Sequence, residues 1–118
     1  MPERVVFVLF AGPEMPCKLQ HALLFARDIA RNGGEARIVF EGNAPRALVE
    51  LQQGQSNVAG LFKMCLDEGL IAGVCKGCAM VHGAVHAAQE LGLPLLDDAF
   101  GHVSLVPYIR AGMQVITL

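Results

Sequence analysis

The sequence predicts one α/β domain, residues 1–118, built on a doubly wound, mainly parallel five-stranded sheet with helices on both faces. Three observations carry this. Arg4 to Phe10 is an unbroken β-favouring run, as expected of a strand covered on both faces in the middle of a parallel sheet. Short apolar runs then alternate with segments of helical spacing to the end of the chain. No linker, internal repeat or low-complexity tract divides the 118 residues.

The loop Ala11 to Pro16 follows the first strand, and Lys18 to Arg31 carries apolar residues at Leu19, Ala22, Leu23, Ala26, Ile29 and Ala30, the stripe of an amphipathic helix. Asn32-Gly33-Gly34 ends that helix, and Ala36 to Glu41 is the second strand. Ala44 to Gln53 reads as a short helix with Pro45 in its first turn, where no backbone N–H is needed. Gly54 to Asn57 breaks the chain before a helix over Val58 to Glu68. Leu70 to Val74 is the third strand, and a helix from about Cys78 to Leu91 follows, closed by Gly92 and Pro94. Leu95-Leu96 is a very short strand. Val103 to Ala111 is a last helix with a kink or late start at Pro107, and Met113 to Leu118 completes the sheet. Ligands of such sheets gather beyond the carboxyl ends of the strands, an edge that would hold the loops Ala11 to Cys17, Cys75 to Cys78 and Asp97 to His102.

Composition removes several function classes. The formal net charge is −2 and the basic residues do not cluster, so the surface offers little to a phosphate backbone and no nucleic acid is expected. No apolar run approaches the roughly 20 residues of a membrane-spanning helix. Val5 to Ala11 fits a buried strand better than a secretory signal, because Glu3 and Arg4 precede it and Gly12-Pro13-Glu14 follow. A cytoplasmic location is therefore expected, with the four cysteines reduced. Neither G-x-G-x-x-G nor G-x-x-x-x-G-K-[ST] occurs, and no cofactor is expected.

The segment Cys75-Lys76-Gly77-Cys78 is the sharpest chemical signal. Cys75 falls where the third strand ends and Cys78 where a helix begins. A thiol there would face unpaired backbone N–H groups and the positive end of the helix dipole, and Lys76 would add a charge; all three favour thiolate, the nucleophilic form. Gly77 would let the backbone approach whatever the sulfur holds. The pair could accept and pass on sulfane sulfur, or cycle between dithiol and disulfide. Metal binding and plain packing remain open, since free cysteine behaves as a small hydrophobe.

Other groups are secondary. Cys17, at the start of the first helix, could be a second or resolving thiol, and His102 could donate or accept a proton near neutral pH or simply cap the last helix. Cys78, His82 and His86 are spaced four apart on the fourth helix, opposite a face of Met80, Val81, Ala84, Val85, Ala87, Ala88 and Leu91. Adjacent turns of one helix rarely close a zinc site, so no metal is expected there. Asp97-Asp98 lacks a third carboxylate to hold a cation. Cys65 belongs to the core stripe of its helix. Leu24 stands among Gln20, Arg27 and Arg31 with Phe25 at the stripe's margin, an exposed apolar pair suited to self-association.

Along nearly its whole length the chain resembles the DsrE-like family, which includes the sulfur-relay protein TusD and the YchN-type proteins. The likeness rests on the Val5 to Phe10 strand, the early helix ending Asn32-Gly33-Gly34, and Val74-Cys75 followed by a small-residue helix reaching Gly83. It implies a flavodoxin-like or Rossmann-like fold, trimeric or hexameric assembly, and sulfurtransferase-like transfer of sulfane sulfur between a protein donor and a protein acceptor, with the persulfide on Cys75. Cys78 and the segment Gly101 to Tyr108 depart from the relay pattern.

Overall fold

Val5 to Leu9 is buried along its entire length because β1 (Arg4–Leu9) has a hydrogen-bonded neighbour on each side and apolar packing on both faces. The computed structural model describes residues 2–118 and shows a five-stranded, all-parallel sheet in the order β4-β3-β2-β1-β5. The other strands are β2 (Glu35–Phe40), β3 (Ile71–Cys75), β4 (Leu95–Leu96) and β5 (Gln114–Thr117). The helices are α1 (Pro16–Arg31), α2 (Leu48–Gln52), α3 (Ala59–Asp67), α4 (Lys76–Val81), α5 (Val85–Glu90) and α6 (Val106–Arg110), with a 3-10 turn over Ala44–Ala47 before α2.

The strand order explains the layers. From β1 to β4 the chain steps steadily toward one edge, and right-handed crossovers then put every intervening helix on the same face. The main core lies there: Phe7, Leu9, Ile38 and Phe40 of the sheet against Leu19, Leu23, Leu48, Phe62 and Cys65. β5 lies on the far side of β1, so its crossover takes the opposite face, where Val6, Val8 and Val39 meet Tyr108 of α6 and Val103. That second cover is thin, since α6 has five residues and buries none of them.

The last helix has the expected late start, at Val106 with Pro107 in its first turn. Two elements differ from the sequence reading. Ala44 to Gln53 divides into the 3-10 turn and α2. The predicted helix from Cys78 to Leu91 is two helices: Gly83 adopts φ +66° and ends α4, a left-handed conformation that glycine takes without penalty. The break turns α4 relative to α5, so Met80 and Val81 leave the apolar face and are 63 % and 79 % exposed. It also dissolves the stripe of Cys78, His82 and His86; His86 instead lies 3.7 Å from Glu90 on α5. Leu24 and Phe25 are exposed, and Cys65 is fully buried, as the spacing predicts.

Candidate functional site

Four side chains from three separate segments converge at the carboxyl edge of the sheet. Cys75 is the last residue of β3, Cys78 lies in the first turn of α4, Glu41 is the first residue beyond β2, and His102 sits between β4 and α6. One ligand-type atom from each lies within 4.8 Å of the other three. Cys75 Sγ is 3.1 Å from His102 Nδ1, and Cys78 Sγ is 3.7 Å from the same nitrogen. The Cys78 thiol donates to Glu41 Oε1 at 3.0 Å. Cys75 has no exposed surface, Cys78 and Glu41 are half-buried, and His102 is exposed.

Local backbone geometry brings His102 to the thiols. After β4 the chain turns back over Ala99–His102, where each of these two residues donates its N–H to the other's carbonyl at 2.9 Å. Phe100 at the tip takes φ +52°, a left-handed conformation that costs an L-residue about 1–2 kcal/mol. The turn docks on α4 through the Gly77 N–H, which donates to the Gly101 carbonyl at 2.8 Å. A Cβ on Gly77 would lie 2.5 Å from His102 Cε1, so only glycine admits the ring there. Lys76 ties the next stretch, its Nζ 3.6 Å from Asp97 Oδ2.

The electrostatic expectations change accordingly. Lys76 is engaged by Asp97, the Gly77 amide is taken by Gly101, and Cys75 makes no side-chain capping bond to α4. The Gly77 amide and the Lys76 charge are therefore not free to serve sulfur as the sequence suggests. Burial is the main influence on Cys78, followed by its hydrogen bonds with Glu41 and Cys75; a Gly42 amide acts in the opposite direction, and the thiol is pushed up to about 12. Cys78 is thus a firmly protonated thiol rather than a ready thiolate. Burial likewise raises Cys65, to about 11.

Cys17 is exposed at the start of α1, where its carbonyl accepts from His21 Nδ1 at 2.7 Å, and it is not one of the four. The loop after β1 leans on the 3-10 turn through the Glu14–Arg46 ion pair. There it borders a cavity of about 190 Å³ with Ala47, Glu50 and Val58, and none of the four grouped side chains lines this cavity. The site thus sits over β2 and β3, away from the β1–β5 pair where the crossovers change face. Glu41 is absent from the sequence reading, which placed it at the end of a strand. Its one available signal is position, at the carboxyl end of a parallel strand and before Gly42 at φ +59°. Among the described residues no helix is long and apolar enough to cross a membrane.

No protein-family model and no solved structure matches the chain. It is 31% identical, over 120 residues, to the Uncharacterized protein MJ0733 of Methanocaldococcus jannaschii, an alignment covering 98% of this chain and 95% of that protein. An α/β domain of this kind, aligned almost end to end with that archaeal protein, belongs to the same family as MJ0733.

Proposed function

We propose that the protein is a DsrE-like sulfur carrier that accepts sulfane sulfur as a persulfide on Cys75 and passes it to a second protein. The observation that carries this reading is the 3.1 Å approach of Cys75 Sγ to His102 Nδ1, a nucleophile and a base within hydrogen-bond reach. His102 takes the Cys75 proton. The thiolate attacks the terminal sulfur of a donor persulfide, a new S–S bond forms on Cys75, the donor's S–S bond breaks, and the donor leaves as thiolate. Because Cys75 is covered, a donor reaches it when the exposed His102 ring swings aside. Reversal of the same chemistry on an acceptor thiolate completes the relay. The reading includes a cytoplasmic setting and assembly as a trimer or hexamer, for which the exposed Leu24 and Phe25 offer apolar surface.

A second reading is favoured by one further observation, the placement of both sulfurs within 4.8 Å. A dithiol oxidoreductase would use Cys78 to attack a mixed disulfide on Cys75, forming an internal bridge and releasing the substrate thiol.

Incubation of metal-free protein with a cysteine desulfurase and cysteine, followed by intact mass measurement, separates the two. The carrier gains one sulfur atom that dithiothreitol removes and that Cys75→Ala lacks. A chain that gains no sulfur, while the same donor loads a control acceptor, is not a carrier; loss of two hydrogens instead supports the oxidoreductase.

A further inference from the structure

We infer that Glu41, Cys75, Cys78 and His102 form a four-ligand site for a thiophilic divalent cation, zinc in the first instance. The inference is independent of sulfur transfer and would stand if that reading failed.

The donor set is the first argument. Two thiols, one imidazole and one carboxylate are the groups that zinc takes, and the C-x-x-C spacing of Cys75 and Cys78 recurs in zinc sites. Geometry is the second. With bonds of about 2.3 Å to sulfur and about 2.0–2.2 Å to nitrogen or oxygen, a tetrahedral ion holds its ligand atoms about 3.3–3.8 Å apart, and a sulfur about 3.5–3.7 Å from nitrogen or oxygen. The separations are 3.0, 3.1 and 3.7 Å, with all four atoms inside 4.8 Å. An ion seated among them asks the two closer pairs to open by about half an ångström. His102 already turns Nδ1 toward both sulfurs, and Glu41 already turns Oε1 toward Cys78.

The surroundings are the third argument. The frame that holds the donors includes two contacts outside the set, Gly77 N–H to Gly101 carbonyl at 2.8 Å and Lys76 to Asp97 at 3.6 Å, and one from outside it to a donor atom, Gly42 N–H to Glu41 Oε1 at 3.3 Å. Such outer contacts orient ligands before the ion arrives. On binding, both thiols enter as thiolates and their protons pass to solvent, while Glu41 enters as carboxylate and His102 as neutral imidazole. Two positive charges then meet three negative ones. With four protein ligands the ion has no open position, which makes the site structural or protective rather than hydrolytic. Both thiols needed for sulfur or disulfide chemistry are masked while it is bound.

Cobalt(II) titration of tag-free, chelator-treated protein tests this directly. The expected result is one cobalt per chain, with visible d–d bands of tetrahedral type and a thiolate-to-cobalt charge-transfer band that zinc displaces. Cys17→Ser leaves these unchanged. Cys78→Ser weakens the charge-transfer band, and Glu41→Gln and His102→Ala each weaken binding by at least the roughly 10- to 100-fold typical of losing even an outer-shell partner. Cys78→Ser, Glu41→Gln and His102→Ala alter half-buried or exposed side chains, so they serve even if Cys75→Ser fails to fold. Absence of a thiolate band in the parent chain, or its full persistence in Cys78→Ser, would overturn the inference. Sulfur loading of the same metal-free preparation is scored separately, so failure of one proposal leaves the other readable.

Discussion

The imidazole of His102 lies against Gly77 so closely that a Cβ on residue 77 would stand 2.5 Å from Cε1, 2.8 Å from Nε2 and 2.9 Å from Nδ1. Gly77 is therefore the residue that lets a histidine 27 positions beyond Cys75 reach its sulfur. In Gly77→Ala the ring must move, because the neighbouring backbone is held by the Gly77–Gly101 hydrogen bond. The expected outcome is a loss of about 1–3 kcal/mol by urea unfolding, the usual range for overpacking, together with a displaced His102 ring resonance in NMR spectra. An unmoved resonance would show that the contact does not govern the ring.

The Cys78 thiol predicts a specific alkaline instability. Its folded value of about 12 lies above the ordinary 9.0. Below pH 9.0 the thiol is protonated in both folded and unfolded chains, and its stabilising contribution is fully present. As pH rises from 9.0 toward about 12 the unfolded chain ionises first, so the contribution is lost progressively. Cys78→Ser keeps a donor for Glu41 without this ionisation. Denaturation curves across that range should fall less steeply for the serine variant than for the parent; parallel curves would refute the assignment.

The four cysteines should separate by reactivity. Cys17 is exposed, Cys78 is half-buried and held as a thiol, and Cys65 and Cys75 are buried. Alkylation at neutral pH followed by peptide mass mapping should therefore label Cys17 first, Cys75 slowly as the His102 ring moves, and Cys65 only when the chain opens. Early labelling of Cys75 would mean that the His102 turn lifts readily.

Phe100 is fully exposed at φ +52°, so it contributes strain without burial in the single chain. Phe100→Gly should stabilise the chain by about 1 kcal/mol, the order of the left-handed penalty, in thermal melts at low protein concentration. Destabilisation that grows with protein concentration would instead place Phe100 in a contact between copies.

The fold was largely legible because its signals are local. The β1 run, the α1 stripe and the Asn32-Gly33-Gly34 stop each depend on residues within a few positions of one another. The split at Gly83 was less legible, since the apolar pattern continues across it and the glycine conformation alone ends α4. At the site, Cys75, Cys78 and Gly77 were readable from their place between strand and helix, and His102 from its loop at the strand ends. Glu41 was not, because its place at the carboxyl end of β2, before Gly42, is the one signal it carries.

Periodicity and turn chemistry act over neighbouring residues, so the parallel sheet and the two thiols where β3 meets α4 are written in the amino-acid order. Tertiary structure alone decided what those thiols touch. Glu41 and Cys78 are 37 residues apart, and Cys75 and His102 are 27 apart; the β4-β3-β2 order sets these pairs side by side. It also reversed the expected ionisation of Cys78, since desolvation and a carboxylate neighbour arise only once distant segments have closed over the sulfur.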